Sequence, residues 1–269
     1  MPQKIILVTG ATDGLGRRVA EKLAAPDVHL LVHGRDAGRG QAVVKSVAAA
    51  GGSATFYQAD FASLDSVRSF AKTIAAAHPQ IDVLINNAGI ALAKGPRQTS
   101  GEGYELAFAV NYLAPFLLTR LLLPCLGRAR PSRIINVASA GQAPVDFSNV
   151  MLERGYEGML AYRQSKLAQI MFTFDLAEEL EGTKVTTATL HPSTYMDTAM
   201  VRNGGITPIS SVDTGADAVI ALIEKPVEAI SGRYFDVQRE SRASGQAYDR
   251  EARRKLRDLS MKLTGLQAS

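Results

Sequence analysis

Residues 1–269 predict a single α/β domain, a doubly wound, seven-stranded parallel sheet with helices on both faces, and three observations carry that prediction. Short β-branched runs alternate with longer stretches of helical period along the whole chain. The runs are almost continuously apolar, as strands become when helices cover both faces of a sheet. The length fits one α/β domain with ordinary appendages, and 46% hydrophobic against 21% charged residues supplies a sizeable core and excludes a disordered chain.

In order, strand Ile5–Thr9 precedes helix Leu15–Ala25, Val28–His33 precedes Arg39–Ala49, and Ala54–Gln58 precedes Leu64–Ala77. The series continues with Val83–Asn86, the long helical pattern Tyr104–Leu126, Arg133–Val137, helix Ala161–Leu180, Val185–Leu190, helix Val212–Ile223 and Arg233–Val237. Right-handed crossovers between parallel strands make this order doubly wound. Two segments, 141–158 and 195–211, break the rhythm after strands, on the side where open α/β sheets bind ligands. Their glycines, mixed with Phe147, Val150, Met151, Tyr156 and Ile206, suit a movable wall over a pocket. The tail 248–263 sets Tyr248, Ala252, Leu256, Leu259 and Leu263 on one face, with Arg250, Arg253, Arg254, Lys255, Arg257 and Lys262 elsewhere. That narrow stripe without Trp or Phe favours a helix docked on the domain or a neighbouring subunit over one lying on a membrane. A homo-oligomer is left open.

A net charge of +4 is too mild to argue nucleic acid as a partner. Cys125 is the only cysteine, so no intrachain disulfide or cysteine-based metal site can form, and His29, His33, His78 and His191 share no ligand spacing. A metal-free protein of the reducing cytoplasm is expected. The N-terminal apolar run is too short for a signal-peptide core. Tyr112–Leu126, broken by Pro115, Arg120 and Pro124, falls short of the roughly 20 residues of a transmembrane helix.

Thr9-Gly10-Ala11-Thr12-Asp13-Gly14-Leu15-Gly16 lies between the first strand and first helix, where glycines let backbone N–H groups and a helix N-terminus approach a pyrophosphate. Tyr162 and Lys166 stand one helical turn apart on one helix face. A fixed ammonium stabilises a phenolate and draws a phenol from its usual pKa of about 10 toward the range useful for acid/base work. Asn111, a mediocre helix former inside the long apolar pattern, invites a buried polar role.

With Asn86-Asn87-Ala88-Gly89 after the fourth strand, these segments resemble the short-chain dehydrogenase/reductase family, in the family's own order, from Ile5 to about Thr198. The likeness extends to Asn111 in Val-Asn-Tyr-Leu-Ala-Pro-Phe and to Ser139 in Ile-Ile-Asn-Val-Ala-Ser. Ser139 and Tyr162 stand 23 positions apart, which is similar to the retinol-dehydrogenase-like branch. That branch's N-terminal membrane anchor is not expected here, and a retinoid substrate does not follow from the likeness.

The resemblance implies a Rossmann-type dinucleotide-binding fold and hydride transfer between a nicotinamide and a small-molecule carbonyl/alcohol substrate. It assigns Tyr162 as acid/base, Lys166 to the phenolate and the nicotinamide ribose, Ser139 to the substrate oxygen, and Asn111 to a water-linked proton path. It places Gly10, Thr12, Asp13, Gly14, Leu15 and Gly16 at the pyrophosphate, Asp60 and Phe61 at the adenine, and Asn87, Ala88 and Gly89 at the adenosine ribose. Pro192, Ser193 and Thr194 fall at the nicotinamide amide, with Ser193 where the family usually has glycine. In His33-Gly34-Arg35-Asp36 glycine replaces the carboxylate of NAD-selective members, and Arg35 can fork onto a 2′-phosphate, so NADP(H) is the expected cofactor. Arg17 reads equally as a helper or a solvated charge, Asp36 as a helix N-cap and Asp60 as a helix-leading cap. The apolar segments predict a bulky hydrophobic ketone or aldehyde. A binding-only regulatory or scaffold protein on the same fold is the alternative.

Overall fold

The computed structural model describes residues 3–128 and 131–267. Its first half is the alternation read from the sequence: β1 (Lys4–Val8), α1 (Gly14–Lys22), β2 (Val28–Gly34), α2 (Ala37–Ala49), β3 (Ser53–Gln58), α3 (Leu64–Ala77) and β4 (Val83–Asn86). Then follow a composite helix containing α4 (Leu106–Phe108) and α5 (Ala114–Leu122), β5 (Ser132–Val137), α6 (Gly158–Glu179), β6 (Val185–His191), α7 (Ala199–Asn203), α8 (Val212–Glu224), β7 (Tyr234–Asp236), β8 (Arg239–Ser241) and α9 (Arg250–Thr264).

The sheet runs β3-β2-β1-β4-β5-β6-β7-β8. The seven expected strands are parallel, and β8 adds an antiparallel edge through Phe235 opposite Glu240. Sequence reading missed β8 because Val237, at φ 56°, reverses the chain at once and Arg239–Ser241 is wholly exposed, with no apolar alternation to read. Within the strands, period-two alternation divides the core. Leu7, Leu31, Leu84 and Ile134 face α3, α5 and α6, while Ile6, Val8, Leu30, Val32, Ile85 and Ile135 face the layer of α1, α2 and α8. Strand order reverses between β1 and β4, and ligands of open α/β sheets bind in the crevice outside such a switch point.

The composite helix shows how one residue bends an element. Pro115 has no N–H to offer the Asn111 carbonyl four residues back, and the Ala114 N–H reaches five residues back to Ala109. A π-helical stretch, Ala109–Leu113, results, with Asn111 at its centre. The continuous stretch Leu106–Cys125 is long and apolar enough to cross a membrane by length and composition, contrary to the expected shortfall, because the helix runs through Pro115 and starts earlier. It is a core helix, with 78% of its most apolar 18 residues buried inside the protein.

The C-terminal tail docks on the domain, as its stripe predicted. Asp249 caps α9 by accepting the Glu251 and Ala252 N–H groups, and Gly265 at φ 62° ends it. Its inner face buries Ala252, Leu256, Ser260 and Thr264, the Tyr112 hydroxyl meets Ser260 Oγ at 2.7 Å, and Arg257 Nη1 donates to both carboxylate oxygens of Asp175 at 3.0 Å. Tyr248, assigned to that stripe, is exposed.

Candidate active site

At the end of β1 the chain turns through Gly10, whose φ of 62° only glycine adopts without strain; a Cβ there would stand 2.7 Å from Ala88 Cα. Asp13 caps α1, its Oδ1 accepting the Gly14 N–H. The amides of Thr12, Asp13, Leu15 and Gly16 donate to no protein group among the described residues. Unpaired N–H groups at the start of a nine-residue helix fit a pyrophosphate, so the residues present suit the dinucleotide that the turn implies. A Cβ at Gly16 would run into the Asn87 amide and the Gly10 carbonyl, and that space keeps the turn tight.

Thr9 and Asn87 lock the turn to the chain after β4. Thr9 Oγ1 accepts the N–H groups of Asn87 at 2.9 Å and Ala88 at 3.0 Å, and Asn87 Nδ2 donates to the carbonyls of Thr9 and Gly10. The Asn87 side chain therefore holds the turn together, a role the ribose assignment did not include. From the sequence Thr9 entered only as the first residue of the glycine turn, and no role was assigned to its hydroxyl, because its partners come from the chain after β4.

Of the cations near the end of β2, Arg17 is paired with Glu21 and Arg39 with Asp13 and Asp36. The Arg35 guanidinium is exposed and makes no hydrogen bond or ion pair among the described residues. Asp36 is the N-cap of α2, accepting the Arg39 N–H at 2.9 Å. Asp60 is not the cap of α3, which is Ser63; its Oδ1 accepts the Ala62 N–H at 3.0 Å. Phe61 is buried and stacks on His33 with centroids 4.0 Å apart.

Gly10 against Ala88 continues into Gly89, where a Cβ would stand 3.4 Å from Lys166 Nζ and 3.3 Å from Asn111 Oδ1. Asn111 is fully buried: its Oδ1 accepts the Ile90 N–H at 2.7 Å, and its Nδ2 donates to the Ile90 carbonyl and to Ser165 Oγ, both at 2.9 Å. It thus clamps the chain after β4 to α6. Lys166 Nζ donates to the Val137 carbonyl at 2.8 Å and to Gln169 Oε1 at 3.4 Å. Burial pushes this lysine down to about 8.

Tyr162 shares α6 with Lys166, whose Nζ lies 5.9 Å from the phenol ring centroid. Burial raises the phenol's pKa, and a side-chain hydrogen bond with Ser139 opposes that rise. The lowering by the lysine expected from the spacing is not found: burial sets the direction, and the opposing influence comes from Ser139 and not from Lys166. Ser139 Oγ also accepts the Gly141 N–H at 3.0 Å, and its carbonyl accepts from Gln142 Nε2 at 3.0 Å and from the Tyr234 hydroxyl at 3.3 Å. Tyr234 comes from β7, too far along the chain for spacing to reveal.

The two interrupting segments differ. Residues 141–158 are pinned: Val145, Val150 and Leu152 are buried, Gln246 bonds the Val145 N–H and carbonyl, and Gln164 bonds Asp146 and Val150. A movable wall is therefore not what this segment's packing supports. In 195–211, α7 has no buried residue and Tyr195, Met200 and Ile209 are exposed, while Thr198 approaches Gly14 over the glycine turn. Beneath it, Ser193 Oγ donates to Ser210 Oγ at 2.9 Å, and Ser210 Oγ to the Thr194 carbonyl at 2.7 Å. After Pro192 the left-handed residue is Tyr195, at φ 45°, and not Ser193, so the missing glycine imposes no strain there.

Comparison with known proteins agrees with this geometry. The model of the short chain dehydrogenase family matches residues 4–207. The chain is 34% identical over 280 residues to retinol dehydrogenase 11 of Homo sapiens, covering 99% of this chain and 87% of that protein. It is 36% identical over 286 residues to polyprenol dehydrogenase of Mus musculus, covering 98% and 84%. Among solved structures, an uncharacterised protein from Mycobacterium paratuberculosis superposes with a TM-score of 0.82 at 28% identity, covering 98% of this chain and 94% of that one. A short chain dehydrogenase from Burkholderia cenocepacia, solved in complex with NADP, gives 0.71 at 28% identity, covering 87% and 96%. Motif order, strand order and relatives spanning nearly the whole chain converge, and the protein belongs to the short-chain dehydrogenase/reductase family of oxidoreductases, in its retinol-dehydrogenase-like branch.

Proposed function

We propose that this protein is an NADP(H)-dependent oxidoreductase that interconverts an apolar ketone or aldehyde and its alcohol. The observation that carries the reading is the continuity from the glycine turn to the polar set: Gly10 abuts Ala88, Gly89 abuts Lys166, and one helical turn from Lys166 the Tyr162 hydroxyl meets Ser139. When bound, the dinucleotide supplies or accepts the hydride. In reduction Tyr162 gives its proton to the substrate oxygen, Ser139 Oγ donates to that oxygen and orients it, and the Lys166 ammonium stabilises the phenolate left behind. Gln142 and Tyr234 hold the Ser139 backbone, and Asn111 holds the chain beside Lys166.

The choice of NADP(H) is supported by the unpaired Arg35 guanidinium beside Gly34, and the choice of substrate by the apolar residues of the two segments and by relatives named for retinol and polyprenol, both hydrocarbon-rich alcohols. The test is oxidation of NADPH and NADH against a series of aldehydes and ketones, with the reverse reaction on the alcohols. Turnover with NADPH supports the reading. Tight NADPH binding without turnover of any member, in either direction, would favour the binding-only alternative.

A further inference from the structure

His33, near the end of β2, belongs to no assigned role yet touches both the glycine turn and the Ala59–Phe61 stretch after β3. Its Nδ1 accepts the Gly10 N–H at 3.1 Å, and its backbone carbonyl accepts the Ala11 N–H at 2.8 Å. On the other side Nε2 lies 3.2 Å from the Ala59 carbonyl. A carbonyl only accepts, so Nε2 carries the proton and Nδ1 is the bare acceptor. The ring stacks on Phe61 at 4.0 Å and leans on Phe70 of α3 at 4.9 Å, and only 2% of the residue is exposed. Burial lowers its pKa to about 4, with Asp60 pulling up and Arg35 pushing down by less, which keeps the ring neutral near pH 7.

We propose that His33 is a positioning residue of the cofactor cradle: by accepting the Gly10 N–H while donating to Ala59, it fixes the glycine turn and Phe61 relative to one another. This rests on the dinucleotide reading above. Because Gly10 and Ala11 are held by His33, the amides left for a phosphate are those of Thr12, Asp13, Leu15 and Gly16. Those groups serve NADH and NADPH alike, so His33 acts on both cofactors, unlike Arg35.

Two variants separate the hydrogen bonds from the packing. His33→Phe keeps a ring against Phe61 and loses both bonds. His33→Asn restores an acceptor near the place of Nδ1. In His33→Phe the dissociation constants of NADPH and NADH are expected to rise together by about tenfold, the weight of a net hydrogen bond, with kcat at saturating cofactor within about twofold. In the same variant without cofactor, the Gly10 amide should exchange with deuterium faster than in the wild type. His33→Asn should recover most of the affinity and the protection. The His33→Phe variant keeping wild-type affinity and Gly10 protection, the two variants behaving alike, or a loss confined to NADPH would overturn the assignment. Should the variants fail to fold, the 15N spectrum of the wild-type ring decides: bare Nδ1 and protonated Nε2 support it, the reverse overturns it. A wild type that binds neither dinucleotide defeats the proposed function, and this inference with it; a wild type that binds while His33→Phe is unaffected defeats the inference alone.

Discussion

Burial moves the proton affinities of Tyr162 and Lys166 apart, raising the phenol above its ordinary 10.0 and lowering the lysine from 10.5 to about 8. Near pH 7 the phenol holds its proton and most of the lysine its charge, the state that carbonyl reduction requires. The lysine's pKa is depressed, so its charge disappears as pH rises through about 8 and not at its ordinary 10.5. Reduction should therefore decline above about pH 8, and kcat/KM for a ketone with NADPH between pH 6 and 10 is the check; a plateau reaching pH 10 contradicts the assignment. Arg35 supplies a second residue-scale prediction, since Arg17 and Arg39 are already paired with carboxylates. Arg35→Ala should weaken NADPH binding by about 1.5–3 kcal/mol, the scale of a hydrogen bond to a charged group, and leave NADH nearly unchanged. Equal losses in titrations of both cofactors would remove Arg35 from the 2′-phosphate.

Elements with strong local periodicity were legible before the fold was seen. The runs at Ile5, Val28, Val83 and Val185 became β1, β2, β4 and β6 with small changes at their ends: Ile5–Val8 and Val83–Ile85 are unbroken apolar runs of buried strands, while β2 and β6 are marked by Val, Leu and Thr between polar residues. What was illegible depends on contacts distant in sequence. Segment 141–158 is rigid because Gln246 and Gln164 bond its backbone, and nothing within the segment announces them. The site divided in the same way: Tyr162, Lys166, Ser139 and the glycine turn carry fixed spacing, whereas His33 and Tyr234 reach the cradle or Ser139, and the Thr9 hydroxyl reaches Asn87 and Ala88, only through the fold. The docking of α9 yields an element-scale prediction. Ser260 Oγ donates to the Leu256 carbonyl, so the Tyr112 hydroxyl is the donor to Ser260. Tyr112→Phe removes one buried hydrogen bond and should cost about 1 kcal/mol, read as a fall in the denaturation midpoint with an unchanged slope. No change in midpoint would mean that packing alone holds α9.

At the scale of the whole molecule, strand order puts the glycine turn, the chain after β4 and the end of β5 along one crevice, with segments 141–158 and 195–211 beside it. Val145 and Val150 of the pinned segment are packed into the core, whereas the other segment exposes Tyr195, Met200 and Ile209, the apolar surface on which the proposed substrate would rest. If that pocket is apolar, kcat/KM along a homologous series of ketones should rise with chain length, each buried methylene contributing about 0.8 kcal/mol until the pocket is full. A flat or falling series counts against it. The account's central claim is that this crevice transfers hydride with Tyr162 as the proton donor, and single-turnover NADPH oxidation of the Tyr162→Phe variant, with NADPH binding measured alongside, tests it most directly. Losing only the hydroxyl should leave the fold and cofactor affinity intact and slow carbonyl reduction by about 10²–10⁴-fold, whereas Lys166→Ala should damage binding and rate together and Ser139→Ala the rate alone. A Tyr162→Phe protein that binds NADPH and transfers hydride at close to the wild-type rate would contradict the account, placing the proton donor elsewhere.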